Sequence, residues 1–265
     1  MPRRRALSLL SLASLSIAAL TASRTAEACG AAYPGGPVVC IFPDKRPAEA
    51  PLELRLSASY AFTDTTLLFG DDRRAELRRH AVFGGVQLPI SESLTAQFGA
   101  GGIAAGELVH GAATDTIGPG FASYGGLAWR VYEGTDVLPF IQLTTTLSVT
   151  HMLTRTDDRG TRTDGSTSPD ARAETPRFNA FDVRLGGIVG KTFADTFTPY
   201  VTARVFGGPI FWQFDGEDVV GTDQCKVQLG GGLSLTLFDG GLDLFAEGIP
   251  LGEQGVAAGV GTTFF

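Results

Sequence analysis

The residues best suited to chemistry are ionisable side chains placed two positions apart in segments that are otherwise apolar and rich in glycine. Glu53 and Arg55 have this spacing, and so do Asp182 and Arg184. Side chains two residues apart in a β-strand point to the same face, so each pair would place opposite charges on one face. Such charges could neutralise each other in a closed interior or line a path for ions. The alternation predicts an inward set of Glu53, Arg55, Glu107, Arg130, Asp182, Arg184, Arg204, Lys226, Asp243 and Glu247.

The three histidines are the other candidates for chemistry. By the same alternation His80 and His151 face outward near strand ends, and His110 falls in a loop. Aspartates occur in adjacent pairs at 71–72 and 157–158, but adjacent carboxylates of an extended segment point apart. No group of His and Cys has the spacing of a metal site, and no glycine stretch separates a strand from a helix as a phosphate-binding loop requires. The sequence therefore predicts no catalytic residue, no metal site and no cofactor.

The segment from Lys226 to Ala246 shows the element that must position these side chains. Apolar residues alternate with polar or small ones over 227–237, so the segment would have one apolar face and one polar face. Asp, Gly and Gly at 239–241 then supply residues that tolerate the positive φ of a tight hairpin, and the alternation resumes at Leu242. About ten residues is the length of a tilted strand that crosses a membrane.

The same alternation recurs along the chain and predicts about ten strands over residues 52–265. Short turns alternate with longer connections, and long loops at one end with short turns at the other are typical of membrane-spanning barrels. A soluble β-sandwich would instead have to keep Arg and Glu out of its buried face. The sequence thus predicts an all-β fold, a transmembrane antiparallel up-and-down β-barrel with long extracellular loops and short periplasmic turns. The longer connections are 64–79, 108–119, 154–177 and 212–224.

Two expectations depend on the phase of this alternation. A bulge at Gly84-Gly85 or at Gly207-Gly208 would exchange the inward and outward faces beyond it. Large aromatic residues near the strand ends are expected to form two girdles at the membrane interfaces, with Trp212 in one of them.

Residues 1–28 have the three parts of a secretory signal peptide: three consecutive arginines at 3–5, an apolar run over 6–22, and Ala26 and Ala28 before the cleavage site. The mature chain would begin at Cys29, with residues 29–51 as an irregular periplasmic segment or a small plug inside the barrel. Removing four arginines and one glutamate from 21 basic and 28 acidic residues leaves a net charge of −10. That charge repels phosphate backbones, so no nucleic-acid partner is expected.

Three cysteines would remain after export. Cys29 and Cys40 are close enough in sequence to close a small disulfide loop, which the exported compartment permits. A lipid on Cys29 is the alternative, although Ala26 replaces the usual leucine and Glu27 is large and charged. Cys225 is expected to be unpaired, at the outer end of a strand.

The export signal, the alternating strands and the terminal Phe264-Phe265 together resemble small outer-membrane β-barrel proteins of Gram-negative bacteria, over Leu52 to Phe265. The resemblance implies an outer-membrane location, contact with the lipid bilayer and lipopolysaccharide, delivery by the outer-membrane assembly machinery, and a monomer. Some barrels of this kind are proteases or lipid A deacylases. The inward Asp-X-His spacing of the first and the His and Ser two residues apart of the second are both missing here.

The function that best fits these observations is non-enzymatic, a structural or surface-interaction role carried by the extracellular loops. Arg130, Arg184 and Arg204 are then expected to neutralise Asp182, Asp243 and Glu247 in the interior of a narrow barrel. The first alternative is a narrow, porin-like channel for ions or small solutes, which the many small inward residues favour. The second alternative is a membrane-embedded hydrolase.

Overall fold

The computed structural model describes residues 28–31, 38–41, 54–70, 72–111, 113–135, 137–156, 176–214, 217–238 and 241–264. These residues form strands with short connections. The strands are β1 Ala28–Ala31, β2 Val38–Ile41, β3 Leu54–Phe69, β4 Arg74–Pro89, β5 Leu94–His110, β6 Ala113–Tyr132, β7 Phe140–Thr156, β8 Arg177–Gly190, β9 Phe197–Gly207, β10 Ile210–Phe214, β11 Glu217–Asp223, β12 Val227–Leu237, β13 Leu242–Leu251 and β14 Gln254–Phe264.

Ten of these strands close into one antiparallel barrel. The order around the wall is β3 to β9 in sequence, then β12, β13 and β14. The last strand returns to the first, with partners running from Gln254 opposite Asp64 to Phe264 opposite Leu54. This closure confirms the predicted architecture. We call the end of the barrel that holds Leu54 and Phe264 the lower end and the opposite end the upper end.

The outer surface of the barrel carries an apolar belt, which reverses the arrangement of a water-soluble protein. Leu147 and Val201 are 61% and 62% exposed, and aliphatic or aromatic side chains face outward at alternate positions of neighbouring strands. Inward positions of the same strands are polar, for example Gln142 and Thr144. An apolar outside with a polar inside is the pattern of a barrel that spans a bilayer. The described residues include no helix with the length and apolar character needed to cross a membrane.

The number of strands in the wall changes along the barrel axis. β10 and β11 continue the lines of β9 and β12 upward, and β10 pairs with the upper part of β8, with Ile210 opposite Ala180. β11 pairs with the upper part of β3, with Gly221 opposite Phe69. β13 and β14 end below this seam, in the short turn at Gly252 and Glu253. The wall therefore has ten strands in its lower part and eight in its upper part.

Three segments predicted as long loops are extensions of strands. Residues 64–79 continue β3 and β4 around a tight turn, 108–119 continue β5 and β6, and 212–224 contain β10 and β11. Exposed charged residues alternate with buried apolar ones in parts of these segments, as at Glu76, Leu77 and Arg78, which hides the strand pattern in the sequence. The centre of the fourth predicted loop, 157–175, lies outside the described residues.

A bulge and a strand connection explain why two residues predicted to face inward, Glu107 and Lys226, are exposed. The partners of β4 and β5 skip Ala104, so the faces exchange there and Glu107 is exposed while Leu108 is buried. The faces exchange again in the connection between β11 and β12, where Lys226 is exposed. No register shift occurs at Gly84-Gly85.

The first two strands form a separate hairpin inside the barrel. β1 and β2 pair with each other, with Cys29 opposite Cys40. β1 contacts β9, β12 and β13, and β2 contacts β6 and β14. Since β6 and β14 lie on opposite sides of the ten-stranded wall, a hairpin that reaches both crosses the lumen.

Candidate functional site in the barrel lumen

The upper, eight-stranded part of the barrel encloses a packed apolar cluster, which we call the apolar layer. Its largest members are at most 2% exposed, as in the core of a soluble domain. The rings of Phe69 and Trp212 lie 5.4 Å apart at its centre. Trp212 was expected in an outer girdle, but its position shares the inward phase of β9. The apolar layer consists of Leu67, Phe69, Leu77, Leu108, Ile117, Met152, Phe178, Ile210 and Trp212.

A buried histidine and aspartate lie beside this layer. His110 Nε2 is 3.3 Å from Asp115 Oδ2, and the imidazole ring packs edge-on at 5.2 Å from Trp212. Trp212 Nε1 donates a hydrogen bond of 3.4 Å to Thr154 Oγ1. His110 was predicted in a loop, but it belongs to the upper end of β5, and the bulge at Ala104 turns it inward.

Below the apolar layer, inward charges meet in pairs. Arg55 forms an ion pair with Asp243, and neither side chain is exposed. Thr236 Oγ1 donates a second hydrogen bond of 2.6 Å to the same carboxylate. Such contacts offset part of the desolvation that burying a charge costs.

A second pair joins Arg204 of β9 to Glu247 of β13. Arg204 Nη2 donates a hydrogen bond of 3.0 Å to Glu247 Oε2, and Nη1 lies 2.8 Å from Oε1. Tyr200 donates a hydrogen bond of 3.0 Å to the same glutamate. The carboxylate of Glu247 in β13 thus binds two side chains of β9, across the intervening β12.

The third group is centred on Arg184 in β8. Its Nη1 lies 2.7 Å from Glu253 Oε2, and its Nε pairs with Asp182. Gln228 donates a hydrogen bond of 2.7 Å to Glu253. Arg79 reaches the other oxygen of Glu253 at 3.4 Å. We call Arg79, Asp182, Arg184, Gln228 and Glu253 the central network.

The remaining predicted residues lie elsewhere. Arg130 is at the lower rim, where it pairs with Glu133 at 2.7 Å and stacks over Phe140 at 5.4 Å. It does not belong to the central network. Glu53 lies outside the described residues. Asp182 pairs with Arg184 and Glu247 with Arg204, but Asp243 pairs with Arg55 rather than with Arg130.

Sequence reasoning missed Glu253, Arg79 and Asp223. Glu253 lies in the short turn between β13 and β14, where no strand alternation indicates its direction. Gly252 has a φ of +95°, which permits the tight turn that aims Glu253 inward. Arg79 was assigned to a loop, although it alternates with the inward Leu77 and Ala81 and could have been found from that spacing.

Glu253 and Asp223 lie above the apolar belt, because Asp64 and Arg78, on the outside of the wall at this height, are charged and exposed to solvent. Burial raises the pKa of Asp223 to about 6, and the nearby Glu253 carboxylate adds to the effect. Burial acts in the same direction on Glu253, but Arg184 and Arg79 outweigh it and hold the pKa of Glu253 below its ordinary value. Glu253 is therefore the charged member of the pair, and Asp223 takes up a proton in mildly acidic solution.

A small cavity separates the central network from the apolar layer. Its volume is about 50 Å³, and its lining is mixed. Leu67 and Phe178 lie on the apolar side, and Arg184, Asp223 and Glu253 on the polar side. A buried water needs roughly 10–15 Å³ of such volume and two to four polar partners, so the cavity could hold a few waters.

The outward histidines and the cysteines complete the predicted chemistry. Tyr60 Oη lies 2.7 Å from His80 Nδ1, and His151 Nδ1 lies 2.7 Å from Asn179 Oδ1. Cys225 is exposed and free. The register of β1 and β2 places Cys29 opposite Cys40, and a disulfide between them remains a prediction. In the parts of the chain that the structure describes, no group of His, Cys, Asp and Glu is arranged to hold a metal ion.

No family model and no curated protein matches the sequence. Solved structures with a similar fold include the translocator domain of the autotransporter NalP from Neisseria meningitidis, with 12% identity, coverage of 82% of this chain and 90% of that one, and a TM-score of 0.44. The transport unit of the autotransporter AIDA-I from Escherichia coli has 10% identity, coverage of 84% and 93%, and a TM-score of 0.40. The toluene transporter TodX from P. putida has 12% identity, coverage of 80% and 67%, and a TM-score of 0.30.

Proposed function

We propose that the protein is a closed, non-enzymatic barrel in the outer membrane of a Gram-negative bacterium, and that its upper end stands outside the cell as a surface for interaction. One observation carries the proposal. The lumen is occupied by the hairpin of β1 and β2 and by the buried ion pairs, and above the ion pairs by the apolar layer.

The buried ion pairs support a closed lumen because their side chains bind each other. Arg204 and Glu247 are at most 1% exposed, and Arg184 and Glu253 are 7% and 2% exposed. An ion passing these pairs would have to separate one of them, and removing one partner of such a pair costs roughly 3–5 kcal/mol. The apolar layer above is closely packed, and the polar groups beside it, His110 and Asp115, bind each other.

The upper part of the barrel supports an external surface. Its interior is apolar, while Arg78 and Glu76 on its outside are 46% and 53% exposed. A charged outside around an apolar core belongs in water, so this part rises above the membrane. Both ends of the barrel sequence lie at the opposite, lower end, where a chain exported through a signal peptide would keep them.

A channel is the first alternative, and the cavity beside the central network is the observation in its favour. The cavity of about 50 Å³ lies between the central network and the apolar layer. A conducting path would need both of these to move. The cavity fits better as a hydrated pocket that completes the hydrogen bonding of the central network.

A hydrolase is the second alternative, and the inward contact between His110 and Asp115 is the observation in its favour. A catalytic His and Asp must reach a substrate. Here His110 and Asp115 are 8% and 0% exposed and are covered by Trp212. Their position fits a polar contact that orders the apolar layer.

The test is single-channel recording on the refolded mature chain, Cys29 to Phe265, in a planar bilayer. Folding is first verified by the different gel migration of heated and unheated protein. We expect no conductance steps. Discrete steps that change when Arg184→Gln or Arg204→Gln is introduced would overturn the proposal and make the channel the primary function.

A further inference from the structure

The outward side chains of β7 change character near the upper end. Leu147 and Val149 are apolar and are 61% and 43% exposed. The next outward positions are His151, Leu153 and Arg155. The neighbouring strand β8 changes in the same way at the same level. Its outward residues, read upward, are Leu185, Val183, Phe181, Asn179 and Arg177.

The strand register brings the two arginines close together. Arg177 is opposite Leu153, and Arg155 lies two residues beyond Leu153 on β7. Diagonal neighbours of this kind have Cβ atoms about 7–8 Å apart, so both guanidinium groups can reach one ligand. His151 lies one step lower, with its Nδ1 2.7 Å from Asn179 Oδ1.

Among the residues that the structure describes, this surface carries positive charge, in a chain whose net charge is −7. β7 contains no Asp or Glu, and Asp182, the one carboxylate of β8, points inward to Arg184. Along the row of paired residues, Glu107 is two strands away from Arg155. Two strand spacings amount to about 10 Å, close to the distance at which salt screens surface charges.

An aromatic surface lies directly below the arginines. Phe181 and Phe211 are 47% and 40% exposed and meet edge to face with their centroids 6.3 Å apart. Phe121 is opposite His151 on the next strand and is 54% exposed. Two cations above an aromatic patch at the upper edge of the apolar belt match a molecule with phosphate groups on top of acyl chains.

We propose that the outer face of β7 and β8 binds a phosphate-bearing lipid of the surrounding leaflet, with Arg155 and Arg177 on the phosphates and Phe121, Phe181 and Phe211 along the acyl chains. Lipopolysaccharide has this chemistry. Arginine holds phosphate oxygens through two parallel N–H donors, and the edge of the membrane weakens the competition from water.

The chain offers a matched control at Arg78. It lies on the same row of paired residues as Arg155, through Glu107 and Thr116. Its guanidinium already forms ion pairs with Asp64 at 3.0 Å and with Glu76 at 3.2 Å. Arg78 is therefore an exposed arginine near the belt whose positive charge is already paired with two carboxylates.

The experiment uses the full mature barrel folded in a neutral detergent. Binding of diphosphorylated lipid A is measured by native mass spectrometry, and folding of each variant is checked by its gel migration before and after heating. The comparison is between the wild type, the double variant Arg155→Gln with Arg177→Gln, and Arg78→Gln. The same lipid without phosphates and inorganic phosphate are the two reference ligands.

We expect the wild type and Arg78→Gln to bind the phosphorylated lipid equally. The double variant should bind it about 30-fold more weakly, which corresponds to about 2 kcal/mol for two arginines at a membrane surface. Equal binding by the double variant would overturn the proposal, and so would equal binding of the lipid without phosphates. Competition by inorganic phosphate at the concentration of the lipid would overturn the assignment to a lipid, because the aromatic surface would then contribute nothing.

Discussion

Glu253 Oε2 lies 2.7 Å from Arg184 Nη1. Glu253 belongs to the turn that ends β13 and β14, and Arg184 belongs to β8 across the lumen. The contact ties the point where the wall changes from ten strands to eight to a distant part of the barrel. Arg79 of β4 and Gln228 of β12 bind the same carboxylate. One turn residue therefore joins three strands at the height where the seam between β11 and β3 begins.

Glu253→Gln should destabilise the barrel by about 3 kcal/mol, because it removes one of the two carboxylates that pair with Arg184 and so breaks a buried ion pair. The measurement is urea unfolding of the barrel in detergent, in a Trp129→Phe background so that the fluorescence reports on Trp212 in the apolar layer. Glu76→Gln is the control, since its pair with Arg78 is exposed and should contribute about 0.5 kcal/mol or less. Similar losses in the two variants would show that the central network adds no stability.

Asp223 should make the stability depend on pH. Its pKa is raised from 3.8 to about 6 in the folded barrel, so the folded state binds the proton more tightly than the unfolded chain. The free energy of unfolding should then fall as the pH rises from about 4 to about 6, by up to about 3 kcal/mol, and change no further above that range. Asp223→Asn removes this contribution.

The difference between wild type and Asp223→Asn, measured by urea unfolding at several pH values, isolates this group from Glu253, whose lowered pKa acts in the opposite sense. The variant should gain stability over the wild type mainly above about pH 6, where the wild-type carboxylate is charged. A difference that is constant between pH 4 and 8 would contradict the assignment.

The alternation of single residues was enough to predict most of the lower barrel. Arg55, Arg204 and Glu247 lie at the positions of their strands that alternate with the outward apolar residues, and this alternation can be recognised in the sequence alone. The alternation does not predict which arginine pairs with which carboxylate. Partners such as Arg55 and Asp243 lie on different strands, and their meeting depends on register and strand tilt, which are properties of the closed wall.

The upper strands were predicted as loops for a different physical reason. Leu77 lies between Glu76 and Arg78, and Leu108 follows Glu107, so the sequence looks like that of a loop, although the inward positions Leu77 and Leu108 are apolar. The bulge at Ala104 also exchanges the faces, so the phase of the lower strand gives the wrong direction for Glu107. A two-residue turn such as Gly252 and Glu253 has no signal that predicts a strand pair ending early.

Leu108→Ala should cost about 2–5 kcal/mol, because the side chain is fully buried in the apolar layer and its removal leaves a cavity. Val109→Ala, at the next position and on the opposite face, should cost about 0.5 kcal/mol. Both values come from the same urea titration, with Trp212 as the reporter. If the two variants lose the same stability, the upper barrel is not packed as a core.

Cys29 and Cys40 should form a disulfide in the exported protein, because the register of β1 and β2 places them opposite each other. Maleimide labelling of the unfolded, unreduced chain should then modify Cys225 alone. Labelling of all three cysteines would contradict the disulfide. An added lipid mass on Cys29 would replace it with the lipoprotein alternative, because a thioether at that sulfur leaves none for the bridge.

Deleting residues 29–50 from the mature chain should leave the barrel electrically silent. The hairpin of β1 and β2 crosses the lumen, but the pairs Arg204–Glu247 and Arg184–Glu253 and the apolar layer are all built from the barrel wall and remain in place. Planar-bilayer recording of the deletion variant, beside the full mature chain, measures this directly. Conductance steps in the deletion variant alone would mean that the wall does not close the lumen by itself. The hairpin would then be the plug of a channel, and the disulfide within it would become the natural place to look for control of opening.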